Sequence, residues 1–216
     1  RANGLGLPYC TVMAAGEGHN AHTEDEIQLR GGWTEYADSL YEQAGIGPKD
    51  IDILQTYDDY PVISMLQMED LGFCTKGEAP AFVNSTDMRF DSSEPEQRKL
   101  PHNTSGGQLS VGQAGAAAGL LGVTETIRQL TGQAGTNQVE DAGHALVCGF
   151  GMINYNRGLC TAAAILGGSA MLSAPFGARL TTRLDCVQLR RILAYFLLCR
   201  SEEHTSELQS PCNLVC

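Results

Sequence analysis

Residues 103–122 read NTSGGQLSVGQAGAAAGLLG, a glycine pair followed by a run of alanine and glycine. From Gly112 to about Leu130 we predict a helix, although each interior glycine costs roughly 1 kcal/mol relative to alanine. Several glycines in one helix require a packing reason, and small side chains allow neighbouring backbones to approach closely. We therefore expect a central helix that other elements enclose on all sides.

The sequence on both sides of this segment alternates between helical and strand patterns. Thr34 is a suitable N-cap for a helix whose apolar residues fall on one face and which Gly45 ends. The other predicted elements are a strand at 51–56, a helix at 62–71, a polar loop at 74–105, and buried strands at 145–150 and 159–166. This order predicts an α/β fold with a mixed sheet.

The composition indicates a folded, acidic domain. The 216 residues are 43% hydrophobic and 18% charged, which excludes a disordered chain, and the net charge of −11 argues against binding to nucleic acid or to an anionic membrane. The sequence has no run of about 18 apolar residues, so we expect no membrane-spanning helix. Of the eight cysteines, four lie within residues 169–216, and the other four lie far apart without zinc-site spacing: Cys10, Cys74, Cys148 and Cys160. These features predict no metal site and a reducing, cytoplasmic location.

The C-terminal part of the sequence has a different character. Residues 200–210 read RSEEHTSELQS, which resembles the translation of a DNA adapter used in short-read sequencing. We therefore interpret residues 169–216 as non-native read-through, with an amphipathic helix around 187–198 as the alternative. The remaining domain is residues 1–168, in which we interpret residues 1–32 as a segment entering from an N-terminal half.

Several motifs together carry a resemblance to a known family. YEQAGIGPKDID at 41–52 and QMEDLGF at 67–73 precede NTSGG at 103–107, SVGQAGA at 110–116 and QLTG at 129–132. In this order, over about residues 10–168, they resemble the C-terminal half of thiolases, in particular the sterol-carrier-protein-type thiolases and their lipid-transfer-protein relatives. The resemblance implies half of a five-layer αβαβα fold with a mixed sheet and a central glycine- and alanine-rich helix. The N-terminal half would carry the nucleophilic cysteine, so we expect this chain to be inactive alone.

The resemblance also implies that three loops supply the active site, and the first reads Tyr57-Asp58-Asp59-Tyr60. Tyr57 stands where this branch of the family has histidine, and Asp59 stands where it has a second cysteine. Asp58 matches a family aspartate that we expect to be structural. Tyr57 is either a hydrogen-bond donor in the reaction or part of the pocket wall.

The second loop, Gly112-Gln113-Ala114, takes the place of the family's Gly-His-Pro. At the N-terminus of the central helix, the amide of Gln113 can donate a hydrogen bond to an oxyanion. Unlike histidine, glutamine cannot take a proton at neutral pH. This replacement argues against ordinary thiolysis.

The third loop contains Cys148-Gly149, a shifted version of the family's Cys-x-Gly. Cys148 is either an acid/base group or a buried core thiol. Tyr155, a few residues further on, either caps a turn or takes over proton transfer, as the resemblance to retro-aldolase relatives implies. Asn103, Gly107 and Gly149 are the expected substrate-binding residues.

On this resemblance we expect part of an enzyme that acts on acyl-CoA thioesters, by acyl transfer or by retro-aldol cleavage of a carbon–carbon bond. A coenzyme A thioester would be its substrate, with no cofactor bound by this chain. The implied partners are a second copy, forming a homodimer of the full-length protein, and a separate zinc-ribbon/OB-fold protein. The alternative is a catalytically inactive thiolase fold that binds or carries lipids or acyl-CoA.

Overall fold

The computed structural model describes residues 7–91, 97–113, 119–154 and 157–168. Two short 3₁₀ turns, Pro48–Asp50 and Gly135–Asn137, connect some of its regular elements. In chain order those elements are β1 (Cys10–His19), α1 (Trp33–Ala44), β2 (Ile53–Gln55), α2 (Pro61–Asp70), α3 (Ala79–Ser85), β3 (Thr86–Asp87), β4 (Arg98–Lys99), α4 (Gly107–Val111), α5 (Gly119–Leu130), β5 (His144–Asn154) and β6 (Arg157–Gly168).

Four strands form one mixed sheet in the order β1-β6-β5-β2. The long strands β5 and β6 pair antiparallel, β6 pairs antiparallel with β1, and β2 pairs parallel with β5 through Leu54 and Leu146. The strands β3 and β4 form a separate parallel pair. The predicted α/β fold with a mixed sheet is confirmed.

Apolar residues cover both faces of this sheet, because successive side chains of a strand point to opposite faces. Leu146 and Phe150 on β5 pack into one cluster with Trp33 and Leu40 of α1. On the other face, Ala145 and Val147 of β5 pack into a second cluster with Leu130 of α5. The sheet is therefore the middle layer between helices.

The strand β1 was not predicted, because residues 1–32 were interpreted as an entering segment. Glycines interrupt the alternation of β1, and the structure gives one of them a reason. A Cβ added to Gly16 would lie 2.6 Å from Cδ2 of Tyr36, so the strand can pass beneath α1 only without a side chain at this position. The residue pairs with Ala163 of β6, which places β1 in the sheet.

Two local predictions along the chain were wrong. Gly32, not Thr34, is the N-cap residue of α1, and the Thr34 hydroxyl donates to the carbonyl of Gly31 at 2.9 Å. The polar segment 74–105 contains α3, β3 and β4 rather than a continuous loop. Despite its polar composition, this segment contains packed side chains. The guanidinium of Arg98 lies 5.5 Å from the ring centroid of Phe82 and 5.8 Å from that of Phe73.

The glycine-rich segment is only partly the helix that was predicted. The short helix α4 occupies 107–111, Gly112 follows with φ +100°, and the next described helix is α5, which begins at Gly119. Gly122 does allow close approach, because an added Cβ would lie 3.0 Å from Cγ2 of Val147 on β5. The described residues of this chain do not by themselves enclose α5 on all sides, since Ile127 is 42% exposed. The predicted tail, 169–216, lies outside the described residues.

Candidate active site

The first loop of the candidate site begins where the edge strand β2 ends. Tyr57 is buried, and its ring is tilted against Phe150 of β5 at a centroid distance of 6.0 Å. Gln67 of α2, itself fully buried, holds the backbone of Tyr57 on both sides. The amide of Tyr57 donates to Oε1 of Gln67 at 2.9 Å, and Nε2 of Gln67 donates to the Tyr57 carbonyl at 2.7 Å. This clamp fixes the position from which the phenol projects.

A triangle of hydrogen bonds connects Tyr57, Asp59 and Gln113, and we call it the Tyr57 triangle. The Tyr57 hydroxyl donates to Oδ2 of Asp59 at 2.8 Å. Nε2 of Gln113 donates to the Tyr57 hydroxyl oxygen at 2.6 Å and to Oδ2 of Asp59 at 2.9 Å. The structure thus brings together two of the predicted site residues, which are 56 positions apart.

The geometry of the Tyr57 triangle changes the role expected for Gln113. A primary amide has two hydrogens, and the acceptors on Tyr57 and Asp59 occupy both. The amide therefore orients the phenol and the carboxylate, and it can serve an oxyanion only by releasing one of them. Gln113 is also exposed and lies directly after Gly112 rather than within a described helix.

Asp58 joins this loop to the glycine pair. Its buried carboxylate accepts a 2.6 Å hydrogen bond at Oδ1 from the backbone amide of Gln108, in the first turn of α4. Gly107 lies against the same carboxylate, and an added Cβ would come within 2.6 Å of Asp58 Cγ. Asp58 therefore has a structural role, and Gly107 provides the space for it.

Asn103 lies on the other side of β2, at the start of the glycine turn. It is buried, its φ of +44° is unusual for a residue other than glycine, and its Oδ1 accepts a 2.9 Å hydrogen bond from the amide of Thr56. The backbone amide of Asn103 donates to the Leu54 carbonyl at 3.0 Å. These bonds fasten the turn at 103–107 to the end of β2, directly before Tyr57.

Cys148 and its neighbours lie elsewhere on the sheet. The thiol is buried among the apolar residues packed between β5 and α1, and burial raises its pKa above the usual range. A thiol in this setting stays protonated at neutral pH, which favours the core interpretation of Cys148. Gly149 is half-buried and pairs with Ala162 of β6. Tyr155 lies outside the described residues.

His102 was not predicted to take part in the site, and the structure places it immediately behind Thr56. Its Nε2 lies 2.6 Å from Oγ1 of Thr56, which in turn donates to the Ser64 hydroxyl at 2.9 Å. Burial lowers the pKa of His102 to about 4, although the nearby Asp58 acts in the opposite direction. The imidazole is therefore neutral at pH 7 and supports the loop from inside the protein.

Sequence reasoning missed two further residues of the site, Gln67 and Asp59. A glutamine in an amphipathic helix is usually exposed, and only the end of β2 beside it makes Gln67 a clamp. Asp59 had a usable signal, since it is two positions from Tyr57, and residues two apart in an extended segment point to the same side.

The described residues include no group of three or more histidine, cysteine, aspartate or glutamate side chains arranged to hold a metal ion. Within the same part of the chain, the helices all lack the combination of length and apolar character that crossing a bilayer requires.

Comparison with known families matches residues 13–166 to the family described as thiolase C-terminal domain-like. The chain belongs to this family. The match begins within β1, at residue 13, so most of the strand that the sequence analysis missed lies inside the matched region. It also contains every described residue of the Tyr57 triangle. This thiolase-like domain is thus assigned on its sequence and on its sheet.

Known relatives of this thiolase-like domain include a lyase, an aldolase and a sterol carrier protein. The chain is 36% identical over 128 residues to the 17-hydroxy-3-oxo-4-pregnene-20-carboxyl-CoA lyase of Mycobacterium tuberculosis, covering 59% of this chain and 29% of the relative. It is 34% identical, with the same coverage, to the steroid side-chain-cleaving aldolase of Thermomonospora curvata. Against rat (Rattus norvegicus) sterol carrier protein 2 it is 34% identical, covering 61% of this chain and 22% of the relative.

A solved structure agrees with these relatives. The "Ltp2-ChsH2(DUF35) aldolase" superposes with a TM-score of 0.61 at 29% identity, covering 75% of this chain and 40% of that chain. The thiolase-like domain therefore spans less than half of the length of each of these relatives.

Proposed function

We propose that this chain supplies part of the active site of an enzyme that cleaves a carbon–carbon bond in a β-hydroxyacyl-CoA by a retro-aldol reaction. The observation that carries the proposal is the Tyr57 triangle, in which a phenol is held between an amide donor and a carboxylate. The substrate is a coenzyme A thioester, and the chain itself needs no bound cofactor for this chemistry.

The reaction requires a base near the β-hydroxyl group and a donor near the thioester oxygen. Removal of the hydroxyl proton forms the new carbonyl, the bond between the α and β carbons breaks, and its electron pair moves into the thioester enolate. Protonation of the α carbon then gives a shortened acyl-CoA and an aldehyde or ketone. We assign to Tyr57 the removal of the β-hydroxyl proton.

Acyl transfer is the less favoured reaction for this site. It requires a base that activates a thiolate and a second acid/base group. Gln113 cannot accept a proton, and burial keeps Cys148 protonated. Retro-aldol cleavage needs no acyl–enzyme intermediate, so these two replacements do not obstruct it.

The comparisons support both the reaction and a larger assembly. Two relatives are named as a lyase and an aldolase, and the chain covers only 29% of each. We therefore propose that a longer protein completes the site with an N-terminal half. That this longer protein forms a homodimer enters the proposal through the family resemblance only. The solved relative is named for two components, Ltp2 and ChsH2(DUF35), which supports a separate partner subunit, here of the zinc-ribbon/OB-fold type.

The test uses the complete protein that contains this chain, purified with its partner subunit, and a β-hydroxyacyl-CoA as substrate. Chromatography measures the shortened acyl-CoA and the carbonyl product. The variant Tyr57→Phe should lower kcat at least about 100-fold, as expected for the loss of an acid/base group. Tyr60→Phe removes the same atom from a side chain that is 58% exposed, and this control should retain full activity.

The carrier alternative makes a different prediction in the same experiment. If the wild-type assembly binds acyl-CoA but neither cleaves the substrate nor exchanges acyl groups, the chain is part of a binding protein.

Tyr155 enters the proposal through the resemblance only, as a second proton-transfer group, and Tyr155→Phe should also lower kcat about 100-fold. Unchanged turnover in that variant removes Tyr155 from the site without affecting the assignment of Tyr57.

A further inference from the structure

The Tyr57 triangle contains a carboxylate to which neither the sequence analysis nor the proposed function gives a role. Asp59 lies in the loop after β2, half-buried, and its Oδ2 accepts hydrogen bonds from both the Tyr57 hydroxyl and the Gln113 amide. We propose that Asp59 is the positioning residue that turns Tyr57 into a base, by accepting the phenolic proton as Tyr57 accepts the proton of the substrate. This inference rests on the proposed retro-aldol function.

The direction of the hydrogen bonds carries the first step of the argument. A phenolic hydroxyl group has a single hydrogen, and that of Tyr57 is donated to Oδ2 of Asp59 at 2.8 Å. An ionised carboxylate is only an acceptor, so the polarity of this bond cannot reverse. The hydroxyl oxygen of Tyr57 is consequently set as an acceptor toward every other neighbour, and the β-hydroxyl of the substrate would be one of them.

Gln113 fixes the same polarity from the other side. Its amide nitrogen is a donor only, and it points its hydrogens at the Tyr57 oxygen and at Oδ2 of Asp59. The three groups therefore have one consistent arrangement of hydrogens, in which Tyr57 donates to Asp59 and accepts from Gln113. A histidine at position 113 would allow other arrangements, since its ring nitrogens exchange donor and acceptor roles.

The chemistry supplies the reason for a carboxylate at this place. A phenol with an ordinary pKa of about 10 is ionised in only about one molecule in a thousand at pH 7. Tyr57 acts as a base without prior ionisation if its own proton leaves while the new one arrives. The β-hydroxyl proton then moves to the Tyr57 oxygen and the Tyr57 proton moves to Oδ2 of Asp59, as the bond between the α and β carbons breaks.

The proton balance closes within the same three groups. After cleavage the enolate carbon takes a proton from the Tyr57 hydroxyl, and Tyr57 regains one from Asp59. The carboxylate is then ionised again, and the enzyme returns to its starting state with no added oxidant, reductant or water. Asp59 acts through Tyr57 throughout and does not contact the substrate.

The experiment uses the complete protein with its partner subunit and compares variants at position 59 by kcat and KM. Asp59→Asn should lower kcat about 100-fold and change KM less than threefold, because the amide cannot take the phenolic proton. Asp59→Glu should recover at least tenfold of that loss. Added formate should restore turnover to Asp59→Ala, which a purely structural role of the carboxylate would not allow. Asp38→Asn changes an exposed carboxylate on α1 and is the control, with kcat unchanged.

The outcomes separate this inference from the proposed function. If Tyr57→Phe is inactive while Asp59→Asn stays within threefold of the wild-type kcat, the role of Asp59 is wrong and the proposed function stands. Failure of Asp59→Glu and of formate to raise kcat above that of Asp59→Asn and Asp59→Ala overturns the inference as well. If Tyr57→Phe retains full activity, the role that the proposed function gives to Tyr57 is wrong, and the inference about Asp59 fails with it. Thermal unfolding of each variant verifies that the compared proteins are folded.

Discussion

Replacement of Gly107 by alanine should destabilise the chain far more than the same change at another glycine with positive φ. Gly107 has φ +62°, a conformation that costs an L-residue about 1–2 kcal/mol. The new methyl group would also overlap the carboxylate of Asp58, whose Cγ lies 2.6 Å from the position of the added Cβ. Both costs fall on one substitution.

The second cost follows from what Asp58 does. To make room, its carboxylate must move from the amide of Gln108, which donates to it at 2.6 Å in the buried first turn of α4. Loss of a buried hydrogen bond to a charged group costs about 1.5–3 kcal/mol. We therefore expect Gly107→Ala to lower the free energy of unfolding by about 2.5–5 kcal/mol, from backbone strain and the lost bond together.

Gly45 provides a matched control for this prediction. It ends α1 with φ +70°, and an added Cβ would meet nothing within 4 Å. Gly45→Ala should therefore cost only the backbone strain of about 1–2 kcal/mol. Urea denaturation of both variants, monitored by circular dichroism, measures the difference. If the two variants agree within about 0.5 kcal/mol, the Asp58 contact does not stabilise the fold and the argument for a structural Asp58 is wrong.

Three further variants test other parts of the site. Cys148→Ala should leave the kcat of the complete enzyme within twofold of wild type and cost about 1 kcal/mol of stability, since the thiol is in the core; a tenfold loss of kcat would contradict this. His102→Gln should remove an acid-dependent loss of stability. The unfolded chain takes a proton at His102 near pH 6.5, whereas the folded chain takes it only near pH 4. The free energy of unfolding of the wild type should therefore fall by up to about 3 kcal/mol as the pH drops between these values. Urea titrations at a series of pH values measure this loss, and His102→Gln should not show it. Gln67→Leu should cost about 2–4 kcal/mol in urea denaturation by leaving the buried backbone of Tyr57 unpaired, and a loss below 1 kcal/mol would exclude the clamp.

Much of the fold could be predicted because its elements have strong local signals. The periodic apolar face of α1 and the glycine at its end, at position 45, are visible in the sequence, and both are found in the structure. The strand β1 has no comparable signal, since Gly16 is determined by the ring of Tyr36 above it. That contact joins β1 to α1, so it cannot be predicted from the composition of the strand alone.

The candidate site shows the same division between local and distant information. Position 113 was recognised through the motif around it, but its hydrogen bonds depend on a loop 56 residues away. Asp59 was noted only as the loss of a cysteine, because its role becomes visible only when the Gln113 amide lies beside it. A carboxylate after a strand otherwise resembles any solvated loop residue.

The three consecutive residues after Thr56 show how one short segment builds both the scaffold and the site. Tyr57 and Asp59 project toward Gln113, while Asp58 projects toward the start of α4, as alternation in an extended segment requires. Asp58 thereby holds the beginning of the helix whose end leads directly to Gln113. The anchor and the Tyr57 triangle consequently depend on each other: a change that displaces Asp58 also moves Gln113 away from the phenol. In the complete enzyme, Gly107→Ala should therefore lower kcat as well as stability, whereas Gly45→Ala should lower stability alone.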